Sequence, residues 1–238
     1  MEVYANAMRN VVIANRILAR ENVVDAYGHV SMRNPKDPEK YLMSRSRSPE
    51  LVTLEDIIEF TLDGEAINDD RTPYAERHIH GAIYEARPDI QSVVHNHSHA
   101  VIPFGVTPVP LRPVAHVGAS IGQELPIWDI RKKFGQTNLL VVNMEQGRDL
   151  AKELADNKVV LMRGHGCAVV GTSVEGAVMT SIYLQVNAQL LQDTLNMSSE
   201  VEYLSEQEIE LCAETFLSDF SIKRAWEYFQ RRAGAASF

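Results

Sequence analysis

Apolar residues recur at helical spacing from the start of the chain. Val3, Ala7, Val11, Ala14, Ile17 and Leu18 make a stripe with Arg9, Arg16 and Arg20 off it, predicting a helix over 2–21. The pattern then shortens. Residues 27–33 read as a turn into a short strand, 35–39 as a turn, 41–43 as a second strand and 44–49 as a polar loop. Thr53, with Asp56 three residues on, predicts one capped helical turn over 54–57. The β-branched run 57–62, closed by Asp63-Gly64, predicts a hairpin. Thr72-Pro73 supplies a capping hydroxyl and a first-turn proline, so a helix is expected from there to about residue 86, ended by Arg87-Pro88-Asp89.

In the second half, 90–97 reads as a buried strand and 103–113 as a proline-punctuated segment. A strand and turn are expected over 114–121, a strand at 139–142 and a helix at 147–157. Strands at 159–162 and 167–170 flank Gly164-His165-Gly166. Ser173 caps a long helix over 173–195, and the tail 205–231 predicts one or two amphipathic helices anchored by Leu211, Phe216, Trp226 and Phe229. No repeat or flexible linker divides the chain, so residues 1–238 are expected to form a single domain with a central sheet flanked by helices.

Composition narrows the classes. The 238 residues are 45% hydrophobic and 23% charged, ordinary for a soluble globular chain. A net charge of -9 argues against nucleic acid as a partner. The two cysteines, Cys167 and Cys212, make no disulfide framework, and Cys167 reads as a small buried hydrophobe. There is no secretory signal and no apolar run long enough to span a membrane, so a cytoplasmic location without membrane contact is expected.

The chemistry centres on His95-Asn96-His97. In a strand these two histidines face one side, as two imidazole ligands of one ion must. His165, set between glycines, is a third candidate. Three imidazoles leave a metal with open positions, the mark of a catalytic site. Glu76, on the helix leading into the His95 strand, is a fourth ligand, a general acid/base, or each in turn. His78 and His80 are expected on an exposed or partly exposed helix face, and His99 carries no assigned role. Arg163 is expected in structural pairing at the His165 turn, and Tyr183 and Asn187 in the core.

Taken together, Thr72-Pro73-Tyr74-Ala75-Glu76, His80, Tyr84, Arg87-Pro88-Asp89, His95-Asn96-His97 and Gly164-His165-Gly166 resemble the class II aldolase/adducin family over nearly the whole chain. The resemblance implies an α/β fold, three-layer α/β/α with a central, mostly antiparallel sheet. It implies one divalent metal ion per subunit (Zn, Mn, Fe or Co) on His95, His97 and His165, with Glu76 as the catalytic acid/base. It also implies a homo-oligomer, a tetramer or a multiple of one. His116 is either a contributor to a neighbouring subunit's site or a core or interface histidine.

Two segments depart from the family's sugar-phosphate aldolases. Gly28-His29-Val30-Ser31 stands where those show Gly-Asn-Val/Ile-Ser, and Ser44-Arg45-Ser46-Arg47 where they show Thr-Pro-Ser/Thr-Gly. Arginines suit a carboxylate, which guanidinium grips as a fork. The pattern is similar to the branch that decarboxylates hydroxylated aromatic or pyridine dicarboxylates such as dihydroxyphthalate. It implies a carbon-carbon lyase of aromatic compound catabolism, working through a metal-stabilised enolate-like intermediate. Its small anionic aromatic substrate would be held by His29, Ser44, Arg45, Ser46 and Arg47. The alternatives are an aldolase or epimerase acting on a sugar phosphate or other hydroxycarbonyl compound, and a non-catalytic adducin-like scaffold.

Overall fold

In the computed structural model, which describes residues 2–235, the first stripe becomes helix α1 (Glu2–Arg20), with Ala7, Val11, Ala14, Ile17 and Leu18 buried and Val3 exposed. Three strands follow, β1 (His29–Arg33), β2 (Lys40–Ser44) and β3 (Ile57–Thr61). Helix α2 (Arg77–Ala86) leads into β4 (Ser92–Asn96). Then come β5 (Ile127–Trp128), the short α3 (Arg131–Phe134), α4 (Met144–Leu154), and the pair β6 (Val159–Met162) and β7 (Gly166–Gly171). The chain ends in α5 (Val174–Met197), α6 (Glu206–Phe216) and α7 (Asp219–Arg232).

The strands form one sheet in the order β3-β2-β1-β4-β7-β6-β5. Every pairing is antiparallel except β5 with β6. Alternation along the strands divides the core into two layers. Val93, Val160, Ala168 and Val170 pack under Ile79 and Ile83 of α2 and Leu150 and Leu154 of α4. Val30, Val94, Val159 and Val169 pack under Ile17 and Leu18 of α1 and Val178 and Ile182 of α5. Each such large apolar side chain contributes about 1.5–3 kcal/mol when fully buried. The layers are therefore α2/α4, sheet, and α1/α5. The tail closes on the second helical layer, with Phe216 and Phe229 edge-on to Tyr183 at 4.9 and 6.5 Å.

Four expected elements differ. The helix expected from residue 72 begins only at Arg77, with Glu76 as its N-cap residue. Thr72 O accepts from Ser46 N at 2.8 Å and the Tyr74 hydroxyl bonds Arg47 O, so 72–74 is drawn onto the 44–47 loop instead of winding. The expected strand at 139–142 is irregular. Its N–H groups go to side chains: Leu139 to Thr137, Leu140 to Asn138, Val141 to Glu76 and Val142 to Gln146. Residues 116–121 form a 3₁₀ helix where a strand and turn were expected. Asn143 caps α4, which starts three residues before the expected helix.

Candidate metal centre

Strand parity puts His95 on the Val93 face of β4, under α2. His97 follows just past the strand end. The turn between β6 and β7 carries His165 back to the same place. Gly164 occupies the left-handed region of that turn at φ +68°, and a Cβ on Gly166 would lie 2.1 Å from Asn96 O, so only glycine lets β7 approach there. Glu76, at the N-terminus of α2, completes the set.

Donor atoms of Glu76, His95, His97 and His165 all lie within 4.8 Å of one another. His97 Nε2 is 3.1 Å from His95 Nε2 and 3.0 Å from His165 Nε2. Glu76 Oε2 is 3.5 Å from the Nε2 atoms of His95 and His165. His95 Nδ1–H donates to Cys167 O at 3.0 Å, which leaves its Nε2 lone pair directed at the cluster. Neutral imidazoles cannot satisfy three converging Nε2 atoms with hydrogens alone. Nitrogens each about 2.0–2.1 Å from one ion fall roughly 3 Å apart, so the donor set fits a single divalent cation.

The electrostatics agree with a ligand role. Burial, then the neighbouring His95 and His165, hold His97 down to about 4, so it is neutral and a lone-pair donor at pH 7. Burial would raise the Glu76 carboxyl, but His95 and His165 beside it override that and hold it well below the usual carboxylate range. His97 also forms part of the wall of a cavity of about 780 Å³, together with Val24, Asp25, Glu50, His99 and Gln185.

The remaining expected site residues lie on two sides. His29 is buried beside the cluster, its ring 5.1 Å from that of His95 and 4.5 Å from that of Tyr74. Ser44 is buried, with Oγ donating to the Tyr74 hydroxyl at 3.5 Å, and Ser46 is exposed. Arg45 Nε and Arg47 Nη1 are both spent on the buried Asp56, at 2.7 and 2.8 Å. The same carboxylate accepts from Thr53 N, the capping-box bond, and from Thr53 Oγ1. His116 is exposed on its 3₁₀ helix and is not one of the cluster donors. Arg163 pairs with Asp129 at 3.1 Å, and Asn187 is buried, bonded to Val114 N and Arg112 O.

His78 and His80 overturn the expectation of exposure, since both are buried. His80 bonds His29 and Ser31, and Ser31 bonds Tyr84. The signal was present as spacing. Glu76, His80 and Tyr84 recur every four residues, one face of a helix, and His29 and Ser31 are two apart, one face of a strand.

The family model described as Class II Aldolase and Adducin N-terminal domain matches residues 9–191. The chain belongs to the class II aldolase and adducin family. A decarboxylase, tropJ, of Talaromyces stipitatus is 33% identical over 94% of this chain and 92% of its own length. The 3,4-dihydroxyphthalate decarboxylase of Arthrobacter keyseri is 26% identical over 98% and 96%. The L-fuculose 1-phosphate aldolase structure from Glaciozyma antarctica PI12 superposes with a TM-score of 0.78 at 21% identity, over 97% of this chain and 89% of that one, a likeness of fold. The class II aldolase-like α/β fold expected from the sequence is the observed one. Among the described residues no helix is long and apolar enough to cross a membrane.

Proposed function

We propose that this protein is a divalent-metal-dependent decarboxylase acting on a hydroxylated aromatic or heteroaromatic carboxylate, with dihydroxyphthalate as the reference substrate. One observation carries the reading. The Glu76 carboxylate is held through Oε1 by Val141 N–H at 3.0 Å, while Oε2 stands 3.5 Å from two of three converging imidazole nitrogens. That supports an acid/base role for Glu76 beside a Lewis-acid site. A carboxylate substrate, in preference to a sugar phosphate, is supported by two decarboxylase relatives that each align with more than nine-tenths of the chain.

A zinc, manganese, iron or cobalt ion on His95, His97 and His165, beside Glu76, would supply a Lewis acid that draws electron density from a ring oxygen of the substrate. Glu76 begins ionised. It takes the proton of a ring hydroxyl and returns it to the ring carbon that carries the departing carboxylate. The bond from that carbon to the carboxylate then breaks. Carbon dioxide leaves, and the bonding pair restores the aromatic ring. His29 offers a ring nitrogen to a substrate oxygen. Arg45 and Arg47 keep N–H groups not spent on Asp56 and hold a second carboxylate, with Ser44 and Ser46 on the same loop.

The chain acts as one domain over residues 1–238 and as a homo-oligomer, with the exposed His116 available to a neighbour's site. The test is the purified protein, supplied in turn with each of the four metals, given 3,4-dihydroxyphthalate and, separately, fuculose 1-phosphate. Carbon dioxide release from the first, with no aldehyde from the second, is expected. Retro-aldol cleavage of the sugar phosphate without decarboxylation replaces this reading by the aldolase one.

A further inference from the structure

Four buried side chains run from the edge of the donor cluster into the core, and none of them is a cluster donor. His29 and Ser31 project from β1, and His80 and Tyr84 from α2. His29 Nδ1 is 2.7 Å from His80 Nε2, His80 Nδ1 is 2.6 Å from Ser31 Oγ, and Ser31 Oγ is 2.7 Å from the Tyr84 hydroxyl. The most exposed of the four, His29, is 3% accessible.

The hydrogens in this line can be ordered from its inner end. Among the described residues the Tyr84 hydroxyl meets no acceptor other than Ser31 Oγ, so its hydrogen goes there. Ser31 O–H then donates to His80 Nδ1, and His80 Nε2–H donates to His29 Nδ1. Reversing the line would strand the Tyr84 hydrogen in the core without an acceptor, at the cost of an unmade buried hydrogen bond. The His29 hydrogen is therefore left on Nε2. No described residue bonds that atom, and the ring that carries it lies 5.1 Å from the His95 ring of the donor cluster.

We propose that His80, backed by Ser31 and Tyr84, is a positioning residue that locks His29 in the Nε2–H tautomer, so that His29 presents one neutral, directed N–H to a carboxylate or phenolate oxygen of the substrate. The role assigned to the substrate oxygen rests on the decarboxylase reading; the tautomer lock does not. Because His29 Nδ1 accepts from His80 Nε2–H, the His29 ring carries one hydrogen and is neutral. His29 is thus a hydrogen-bond donor of fixed direction and not a cationic anchor. This matters because residue 29 is one of the positions where the chain departs from the sugar-phosphate aldolase pattern.

The test is nitrogen-15 NMR of the histidine-labelled, zinc-supplemented protein at neutral pH, with kinetics on 3,4-dihydroxyphthalate. The wild type should show the His29 hydrogen on Nε2 and none on Nδ1; the opposite tautomer overturns the proposal. Tyr84→Phe removes the hydrogen that orders the line, so a mixture of His29 tautomers is expected, with kcat/KM lower by about 10-fold. His80→Gln can still donate to His29 and accept from Ser31, and should stay within a few-fold of wild type, whereas His80→Leu should lose about 100-fold. Equal losses in His80→Gln and His80→Leu overturn it. If His80→Leu does not fold, the wild-type and Tyr84→Phe spectra decide. If the wild type decarboxylates no hydroxyaromatic acid, the proposed function fails while the tautomer result still stands or falls by itself.

Discussion

The backbone N–H of Val141 donates to Glu76 Oε1 at 3.0 Å, so a segment with a strand-like sequence serves instead as the clamp on the site's carboxylate. The clamp fixes how far the carboxylate reaches. Glu76→Asp withdraws it by one methylene, about 1.5 Å, and cannot keep both the Val141 bond and the approach to His95 and His165. A loss of turnover on the order of 100-fold is expected, with thermal stability little changed, measured by kcat and a melting curve.

Glu76→Gln keeps the length and an oxygen able to accept from Val141 N–H, yet removes the proton acceptor. Metal content should remain near that of the wild type. Turnover should fall by about 100- to 10,000-fold, the span typical of general acid/base groups. Wild-type rates in this variant would remove Glu76 from the mechanism.

A bound ion stabilises the folded state by an amount that grows with the logarithm of its free concentration over its dissociation constant. Chelator should therefore lower the melting temperature of the wild type. The same treatment of His97→Ala should have little effect, because one of the three converging imidazoles is gone. Elemental analysis after dialysis checks occupancy directly. A wild type that retains no divalent ion and melts identically with chelator favours the adducin-like scaffold over any lyase.

The buried histidines also set a pH dependence. Burial, then His95, holds His80 down to about 3, and burial with His95 and His165 holds His97 at about 4. An unfolded histidine titrates near 6.5, so the unfolded chain binds more protons between those values and stability rises with pH across that window. The ion-free protein should be most stable above about pH 6.5 and lose stability as pH falls toward 4 and then 3. Glu76, also held low, adds to the loss below the usual carboxylate value. Urea midpoints at about pH 7, 5.5 and 4 in chelator should fall in that order, and a flat series contradicts the assignment.

Asp56 gathers Arg45, Arg47 and Thr53 under the 44–47 loop while being only 3% exposed. Asp56→Asn leaves two guanidinium groups without their counter-charge. Because each is about a third exposed, the cost should be moderate, roughly 2 kcal/mol, read from denaturant unfolding. The freed loop should also raise KM more than it lowers kcat.

Much of this site could be read from residue spacing. His95 on β4 with His97 two residues on, just past the strand end, and His165 between glycines, needed only strand parity and the close approach that glycine permits. The three-layer arrangement was expected from the family resemblance, while the order of the strands was not legible in the sequence. What escaped depended on partners distant in sequence. The run 139–142 has the composition of a strand, but Glu76 and Gln146 take its N–H groups. Thr72-Pro73 looks like a helix start, yet bonds to Ser46 and Arg47 keep that segment out of the helix. His80 looked exposed because its partners, His29 and Ser31, lie about fifty residues away on β1, and only the folded chain brings them beneath α2.

The pairing of His29 with His95 across β1 and β4 ties the chemistry to the register of the sheet. A slip of one residue would send the odd-numbered side chains of β4 into the α1/α5 layer and bring Asn96 round in their place. A misregistered sheet would therefore take His95 out of the donor cluster. Cobalt(II) colour acquired during refolding would then follow strand registration itself, giving an optical report on which molecules have aligned the centre of the sheet and which have merely collapsed.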